Sequence, residues 1–274
     1  MTFTPFMRQH SIALDVGTAW TRAANPSGRQ FSVESASHRQ PEAVDASVLG
    51  MLFRELGPHS FWRPRVVAAI SACAGTQERI HFTQLLHRSG AGSVVLVPQP
   101  FAAALGAGLD PGSEHAQMIG DIGESFTEYA VIRSGSVLYS RRLALGCGAL
   151  KQRISRACGR QTSAATVLRW METHSLDDLP PFAGMISGEL ARELRDLLQT
   201  IADGALSFFR ELPDPIACEV IESGIMLVGG GALIADLRRE ITRRTLLGVR
   251  IPGNPITSAI EGVTQVIPYA GIPA

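Results

Sequence analysis

The sequence predicts an α/β fold built as two similar lobes, and three features predict it. An apolar run, Ile12-Ala13-Leu14, leads into Asp15-Val16-Gly17-Thr18 and out into a second polar/apolar run, which is the pattern of strand, tight turn and strand. The same pattern restarts at Met118-Ile119-Gly120-Asp121-Ile122-Gly123 and continues into the strand-like Tyr129-Ala130-Val131-Ile132. Each strand meander then gives way to alternating helices and strands, as in a sheet covered by helices. With 274 residues and 45% hydrophobic content, the chain can bury one large or two smaller cores.

In order, the first hairpin is followed by the turn Asn25-Pro26-Ser27-Gly28 and a third strand over Gln30 to Ser35. From Val44 the apolar residues Val44, Val48, Leu49, Leu52, Phe53 and Leu56 recur at helical spacing, with Asp45 at the start and Gly57-Pro58 as the stop. Arg65 to Ile70 reads as a buried strand, Thr76 to Ser89 as a helix and Val94 to Val97 as the next strand. Pro98-Gln99-Pro100 follows, then a short small-residue helix over Phe101 to Leu109. After the second turn a hairpin passes through Ser134-Gly135-Ser136 to a strand near Val137 to Leu145, and a helix covers Ala149 to Ala157. Gln161 to Met185 shows no convincing period. A strong helix runs from Gly188 to about Leu212, its stripe formed by Leu190, Leu194, Leu197, Leu198, Ile201, Ala205, Phe208 and Phe209, and Pro213-Asp214-Pro215 ends it. Strand Gly224 to Val228, the turn Gly229-Gly230-Gly231, a helix Ala232 to Thr245, a strand near Val249 to Ile251 and a helix near Thr257 to Ile267 complete the chain.

The overall charge points away from nucleic acid, because 25 basic and 25 acidic residues cancel. Lys151 is the only lysine among those cations; with the abundant Ala and Gly, this reads as the codon bias of a GC-rich genome. Cys73, Cys147, Cys158 and Cys218 form no Cys-x-x-Cys pair and are expected as free thiols of a reducing cytosol. Met1 to His10 lacks the apolar core of a signal peptide, and no run is long enough to span a bilayer, so a soluble protein is expected. Phe3, Phe6 and Met7 suit a short membrane anchor, but Pro5 argues against a helix there and a frayed tail is the expectation.

Two Asp-x-Gly turns in one chain suggest a nucleotide held between two similar halves. Gly17 and Gly123 let the backbone approach a phosphate, Thr18 offers an N–H and a hydroxyl, and Asp15 and Asp121 can hold the water shell of a magnesium ion. Gly229-Gly230-Gly231 lies between a buried strand and a helix start, where free N–H groups favour an anion. Taken alone, such a run is as well explained by close helix–strand packing; beside the two turns, the ligand-binding reading gains. The string Gly106 to Gly112 imitates a dinucleotide fingerprint but ends a helix. The chain has no Gly-x-Ser-x-Gly elbow, no P-loop and no His-Glu-x-x-His, and His81 and His87 sit six apart, off one helix face.

These three turns, in this order, resemble those of the actin-like ATPase superfamily and most closely the bacterial actins of the MreB family. Arg63-Pro64-Arg65-Val66-Val67, Thr76-Gln77-Glu78-Arg79, Pro98-Gln99-Pro100 with Phe101 to Gly108, and Gly224 to Leu233 are similar to MreB segments as well, so the resemblance covers nearly the whole chain. It implies an α/β, actin-like two-lobe fold of duplicated RNase H-like cores. The first lobe is expected over 1–113, completed by 256–274, and the second over 114–255. The resemblance also implies that the small subdomain of the first lobe is missing, since only Ser35 to Ala43 spans its place. The small subdomain of the other lobe is shortened to a reduced insert at about 161–187.

By the same resemblance Asp15, Gly17, Thr18, Asp121, Gly123, Gly229, Gly230 and Gly231 bind ATP, Asp15 and Asp121 hold Mg through water, and Gln99 positions the attacking water. The site has drifted. Trp20 replaces a small Asn, the expected Asp-x-Gly-Gly-Gly-Thr reads Asp121-Ile122-Gly123-Glu124-Ser125-Phe126, and Gly146-Cys147-Gly148-Ala149 lacks the acidic pair of relatives. The Lys-x-x-Glu that holds the nucleoside has no counterpart among Val167 to Glu172. Nucleotide binding is therefore expected to be weak or lost, and hydrolysis weak or absent. The implied role is a cytoskeletal scaffold in cell shape or in septal and spore-wall synthesis, like the short Mbl-type proteins of sporulating actinobacteria. Its implied partners are itself, a full-length MreB-type actin, the cell-wall synthesis machinery and the inner membrane surface, with no nucleic acid. The implied place is the cytoplasm, at the inner face of the membrane or the septum. An active ATP-dependent filament former and a phosphotransferase of the same superfamily are the alternatives.

Overall fold

In the computed structural model, which describes residues 10–35, 45–57, 63–158, 164–176 and 187–270, strand β1 (Ser11–Val16) is buried on both faces. Its alternation sorts the core: Ile12 and Leu14 join one hydrophobic cluster, Ala13 another. β1 pairs antiparallel with β2 (Trp20–Ala24) and parallel with β4 (Arg65–Ile70). With β3 (Gln30–Glu34) and β5 (Ser93–Pro98) they form a five-stranded sheet of order β3-β2-β1-β4-β5.

Helices cover both faces of this sheet, as its parallel strands require. α1 (Ala46–Leu56) and α2 (Thr76–Arg88) bring Leu49, Leu52, Phe53 and Leu86 onto Ile12, Leu14, Val66 and Ala68. Asp45 caps α1 by accepting from the Ser47 N–H, as the sequence suggests; Val44 and Pro58 lie outside the described residues. On the other face, α3 (Gln99–Gly106) and α9 (Ser258–Val266) cover Ala13, Val67, Ala69 and Val97. α3 begins at Gln99, two residues earlier than the small-residue run suggests, because Pro100 fits the first turn of a helix, where a missing N–H costs nothing.

The second sheet repeats the first. β6 (Gln117–Ile122), β7 (Thr127–Arg133) and β8 (Ser136–Leu143) form an antiparallel meander, and β9 (Ile225–Val228) and β10 (Val249–Arg250) extend it in parallel, giving β10-β9-β6-β7-β8. α4 (Cys147–Cys158), α5 (Ala164–Met171), α6 (Gly188–Arg210), α7 (Asp214–Ser223) and α8 (Ala235–Thr245) supply its helices. α6 buries Leu190, Leu194, Leu198, Ile201, Ala205 and Phe208 in one core, each large side chain contributing about 1.5–3 kcal/mol. Leu197 and Phe209 of the predicted stripe are only partly buried.

Four local expectations change. Pro213-Asp214-Pro215 ends α6 but also opens α7, since Pro215 sits in its first turn. α4 starts at Cys147, before Ala149. α5 occupies part of the stretch that shows no period; of the insert expected at 161–187, only 164–176 and 187 are described. Gly229 to Gly231 does not run into an α-helix, because a 3-10 turn (Gly230–Leu233) intervenes and α8 begins only at Ala235.

The chain divides into two units, one from the N-terminus to Pro111 plus Thr257 onward, the other Gly112–Ile256. Among the described residues no helix is long and apolar enough to cross a membrane.

Candidate functional site

In the first unit the predicted residues gather at the C-terminal edge of the parallel strands. Asp15 lies at the end of β1, Ile70 ends β4 and pairs with Pro98 of β5, and Gln99 opens α3 directly after it. Ligands of open α/β sheets bind outside this edge. Gly17 is needed by the hairpin itself: its N–H donates to the Trp20 carbonyl at 2.9 Å, and a Cβ would meet that oxygen at the same distance. Its own carbonyl accepts from Ser35 Oγ at 2.8 Å, and Thr18 is buried. Asp15, 4% exposed, lies opposite Arg22 in the β1–β2 register, with Nη1 3.7 Å from Oδ2. The exposed Trp20 starts β2.

The second unit repeats the geometry with different charges. Asp121 is level with Val228 of β9, which places it beside Gly229. The Gly123 N–H donates to the Phe126 carbonyl at 2.9 Å, the counterpart of the Gly17 bond to Trp20. Opposite Asp121, where the first hairpin has Arg22, stands the buried Glu128.

The three glycines differ in what they do. Gly229 has φ 78, and a Cβ there would meet Ile122 O at 2.5 Å and Asp121 Oδ1 at 2.6 Å. At Gly231 a Cβ would run into the Ile122 side chain and lie 3.1 Å from Cys147 Sγ, whereas at Gly230 it would meet nothing within 4 Å. Gly229 and Gly231 are thus required by packing, and of the three only Gly230 faces open space. The expected first turn of an α-helix at this run is replaced by a four-residue 3-10 turn, which supplies a weaker dipole.

Glu124 is held by its surroundings. The N–H groups of Cys147 and Gly148 at the start of α4 donate to the carbonyls of Gly123 and Glu124, at 2.9 and 2.7 Å. The Glu124 carboxylate, its side chain 9% exposed, receives Lys151 Nζ at 2.5 Å. Cys147 beneath it has its thiol pushed up to about 12, by burial first, then by the Glu124 charge, with Lys151 opposing. Arg22 at the first turn and Lys151 at the second are cations that motif reading passes over. The first emerges only from the strand register opposite Asp15, whereas the second is marked in the sequence as the unique lysine, four residues beyond Cys147.

ATP and magnesium fit the two halves unequally. The first turn keeps the small residues and the hydroxyl that a phosphate needs, although Arg22 already partners the Asp15 carboxylate that would face magnesium. In the second, the turn carries a carboxylate, and Lys151 already partners it; both groups would have to rearrange around a phosphate chain at this turn. Among the described residues, no group of three or more His, Cys, Asp or Glu is placed to hold a metal.

The family model for MreB/Mbl protein matches the chain in two overlapping stretches, residues 43–164 and 149–271. The cell shape-determining protein MreB of Escherichia coli K12 is 27% identical over 243 residues, covering 80% of this chain and 70% of that protein. Among solved structures, MreB5 of Spiroplasma citri bound to ADP superposes with a TM-score of 0.76 at 18% identity, covering 93% of this chain and 95% of the other. The same protein bound to AMPPNP gives 0.74 at 19% identity over the same shares of the two chains. The MamK double helical filament gives 0.71 at 13% identity, covering 96% of this chain and all (100%) of that one. At these identities the structural likeness establishes the fold, an actin-like two-lobe one.

Proposed function

The chain belongs to the MreB/Mbl family of bacterial actins, and on that premise we propose that it is a cytoskeletal scaffold of cell shape whose nucleotide site has degenerated. The observation that supports this reading is the second turn: its Gly123 to Phe126 bond repeats the Gly17 to Trp20 bond of the first, yet Glu124 and its Lys151 partner stand at what this reading takes as a phosphate turn. A retained fold with an altered site suits a protein that binds other proteins and does not turn over nucleotide. On this reading the chain assembles with itself or with a full-length MreB-type actin at the inner face of the membrane or septum. There it serves the wall-synthesis machinery, in septal and spore-wall synthesis. The short span from Ser35 to Ala43, where the resemblance implies a missing subdomain, supports the comparison with trimmed family members.

The test is co-sedimentation of the purified chain with a full-length MreB-type actin, with and without Mg-ATP. The proposal expects the chain in the pellet with its partner whether or not its own site can bind nucleotide. A chain that stays in the supernatant under every condition, and recovers no cytoskeletal or wall-synthesis protein in a pull-down, contradicts it.

One observation favours a second reading, an ATP-driven filament former. Gln99 stands at the same sheet edge as the intact first turn, and a Gln there can orient a water. Sedimentation of the chain alone that depends on Mg-ATP and is lost in Gln99→Ala would establish it. The relatives solved with AMPPNP and with ADP make nucleotide the ligand to try first.

A further inference from the structure

In the second turn the chain supplies its own anion: we propose that Glu124, held by Lys151, is a tethered carboxylate that occupies the phosphate position and bars a nucleotide's phosphate chain. This inference rests on reading the Asp121 turn as a family phosphate turn. Three observations carry it. The donors that open α4, the N–H groups of Cys147 and Gly148, are spent on the turn's own carbonyls. The approach of turn to helix is close, since a Cβ at Gly146 would meet the carbonyls of Gly123 and Glu124 at 2.5 and 2.6 Å, and one at Gly148 would meet Glu124 O at 2.9 Å. The carboxylate is nearly buried and paired at 2.5 Å with Lys151, the single lysine of a chain whose other formal cations are all arginine.

The chemistry is that of competitive occupancy. With the N–H groups that open α4 taken by backbone carbonyls, the Lys151 ammonium is the group that would attract a phosphoryl oxygen, and the Glu124 carboxylate satisfies it. An incoming phosphate must displace it or accept its repulsion, and the tether gives it a high effective concentration. Replacing Glu124 by its neutral isostere removes the competing charge and leaves the Lys151 ammonium beside the turn without its carboxylate. A purely structural carboxylate would behave differently: its replacement would weaken the fold and attract no anion.

The experiment uses the whole chain and inorganic pyrophosphate as probe, read by thermal shift and by calorimetry, with wild type, Glu124→Gln and Glu124→Gly compared. Circular dichroism selects the variants that fold; should Glu124→Gly fail, Glu124→Gln carries the test. The expected result is a saturable pyrophosphate-dependent rise in melting temperature in the variant, with affinity at least about tenfold above wild type. A folded variant that binds pyrophosphate no better than wild type overturns the proposal. A second measurement needs no ligand. Lys151→Met should lower the melting temperature by stranding the carboxylate, and Lys151→Met/Glu124→Gln should recover most of the loss; equal melting of the single and double variants also overturns it. Association with an MreB-type actin is measured separately and is expected to be unchanged in Glu124→Gln. Loss of that association in wild type would sink the scaffold reading and leave the pyrophosphate result standing.

Discussion

Arg22 Nη1 lies 3.7 Å from Asp15 Oδ2 across the first hairpin, whereas the equivalent place opposite Asp121 in the second is taken by Glu128. The duplication has therefore kept its backbone and diverged in charge. Both members of the first pair are more than four-fifths buried, so removing the cation costs more than at a surface pair. Arg22→Leu is expected to destabilise the first unit by about 1–3 kcal/mol, the spacing being long for a tight pair. The double variant Arg22→Leu/Asp15→Asn should cost less than the sum of the two single changes. Urea unfolding of the four proteins of that cycle checks it; strict additivity would show that the two side chains do not interact.

Replacing the three glycines one at a time separates packing from ligand binding. Gly230→Ala is expected to change stability by no more than about 0.5 kcal/mol, because open space receives the methyl group. Gly231→Ala drives into Ile122 and Gly229→Ala adds strain at φ 78, so each should cost about 1–3 kcal/mol or more. Thermal melts decide. Three equal effects would mean that the local backbone yields and the packing explanation is wrong.

Tyr129 makes the second unit sensitive to alkali. Its hydroxyl donates to the Ile201 carbonyl at 2.8 Å inside the core, and burial holds its pKa well above the ordinary phenol value near 10. Below pH 10 both folded and unfolded forms keep the proton, so the stability is fully present. Above it the unfolded chain loses the proton first, and stability falls by about 1.4 kcal/mol per pH unit. Tyr129→Phe should lose about 1 kcal/mol at neutral pH and lack that share of the alkaline decline. A wild type and variant that decline in parallel from pH 9 to 11.5 would contradict this.

Thiol reactivity should rank with exposure. Cys218 is exposed, while Cys147 is buried with its thiol pushed up to about 12, so the reactive thiolate is scarce there. Alkylation at pH 8 followed by peptide mapping should modify Cys218 first and Cys147 only as the second turn opens or the chain unfolds. Early modification of Cys147 would mean that the Glu124 turn is not closed in solution.

How much of this the sequence could show follows from the range of the interactions involved. Periodicity locates Arg65 to Ile70 and the stripe of the long helix α6, because a strand or an amphipathic helix is written in neighbouring residues. Asp45 and Gly57 mark the ends of α1 for the same reason. α7 is hidden because Pro213-Asp214-Pro215 serves equally as a stop and a start, and the 3-10 turn after Gly229 because its geometry is set by Ile122 and Cys147 from elsewhere in the chain. The two Asp-x-Gly turns are legible as motifs. The partners that change their meaning, Arg22 across a hairpin and Lys151 on a following helix, depend on register and on the docking of α4. Strand register and tertiary packing are not carried by any local string.

The proposal that the nucleotide site has degenerated is tested most directly by equilibrium binding of Mg-ATP to the purified wild-type chain, with Asp15→Ala as control. A degenerate site predicts no saturation through about millimolar nucleotide, a binding free energy weaker than about 4 kcal/mol, and no difference between the two proteins. Saturable binding at micromolar nucleotide, abolished by Asp15→Ala, would contradict it and restore the chain to the nucleotide-driven actins.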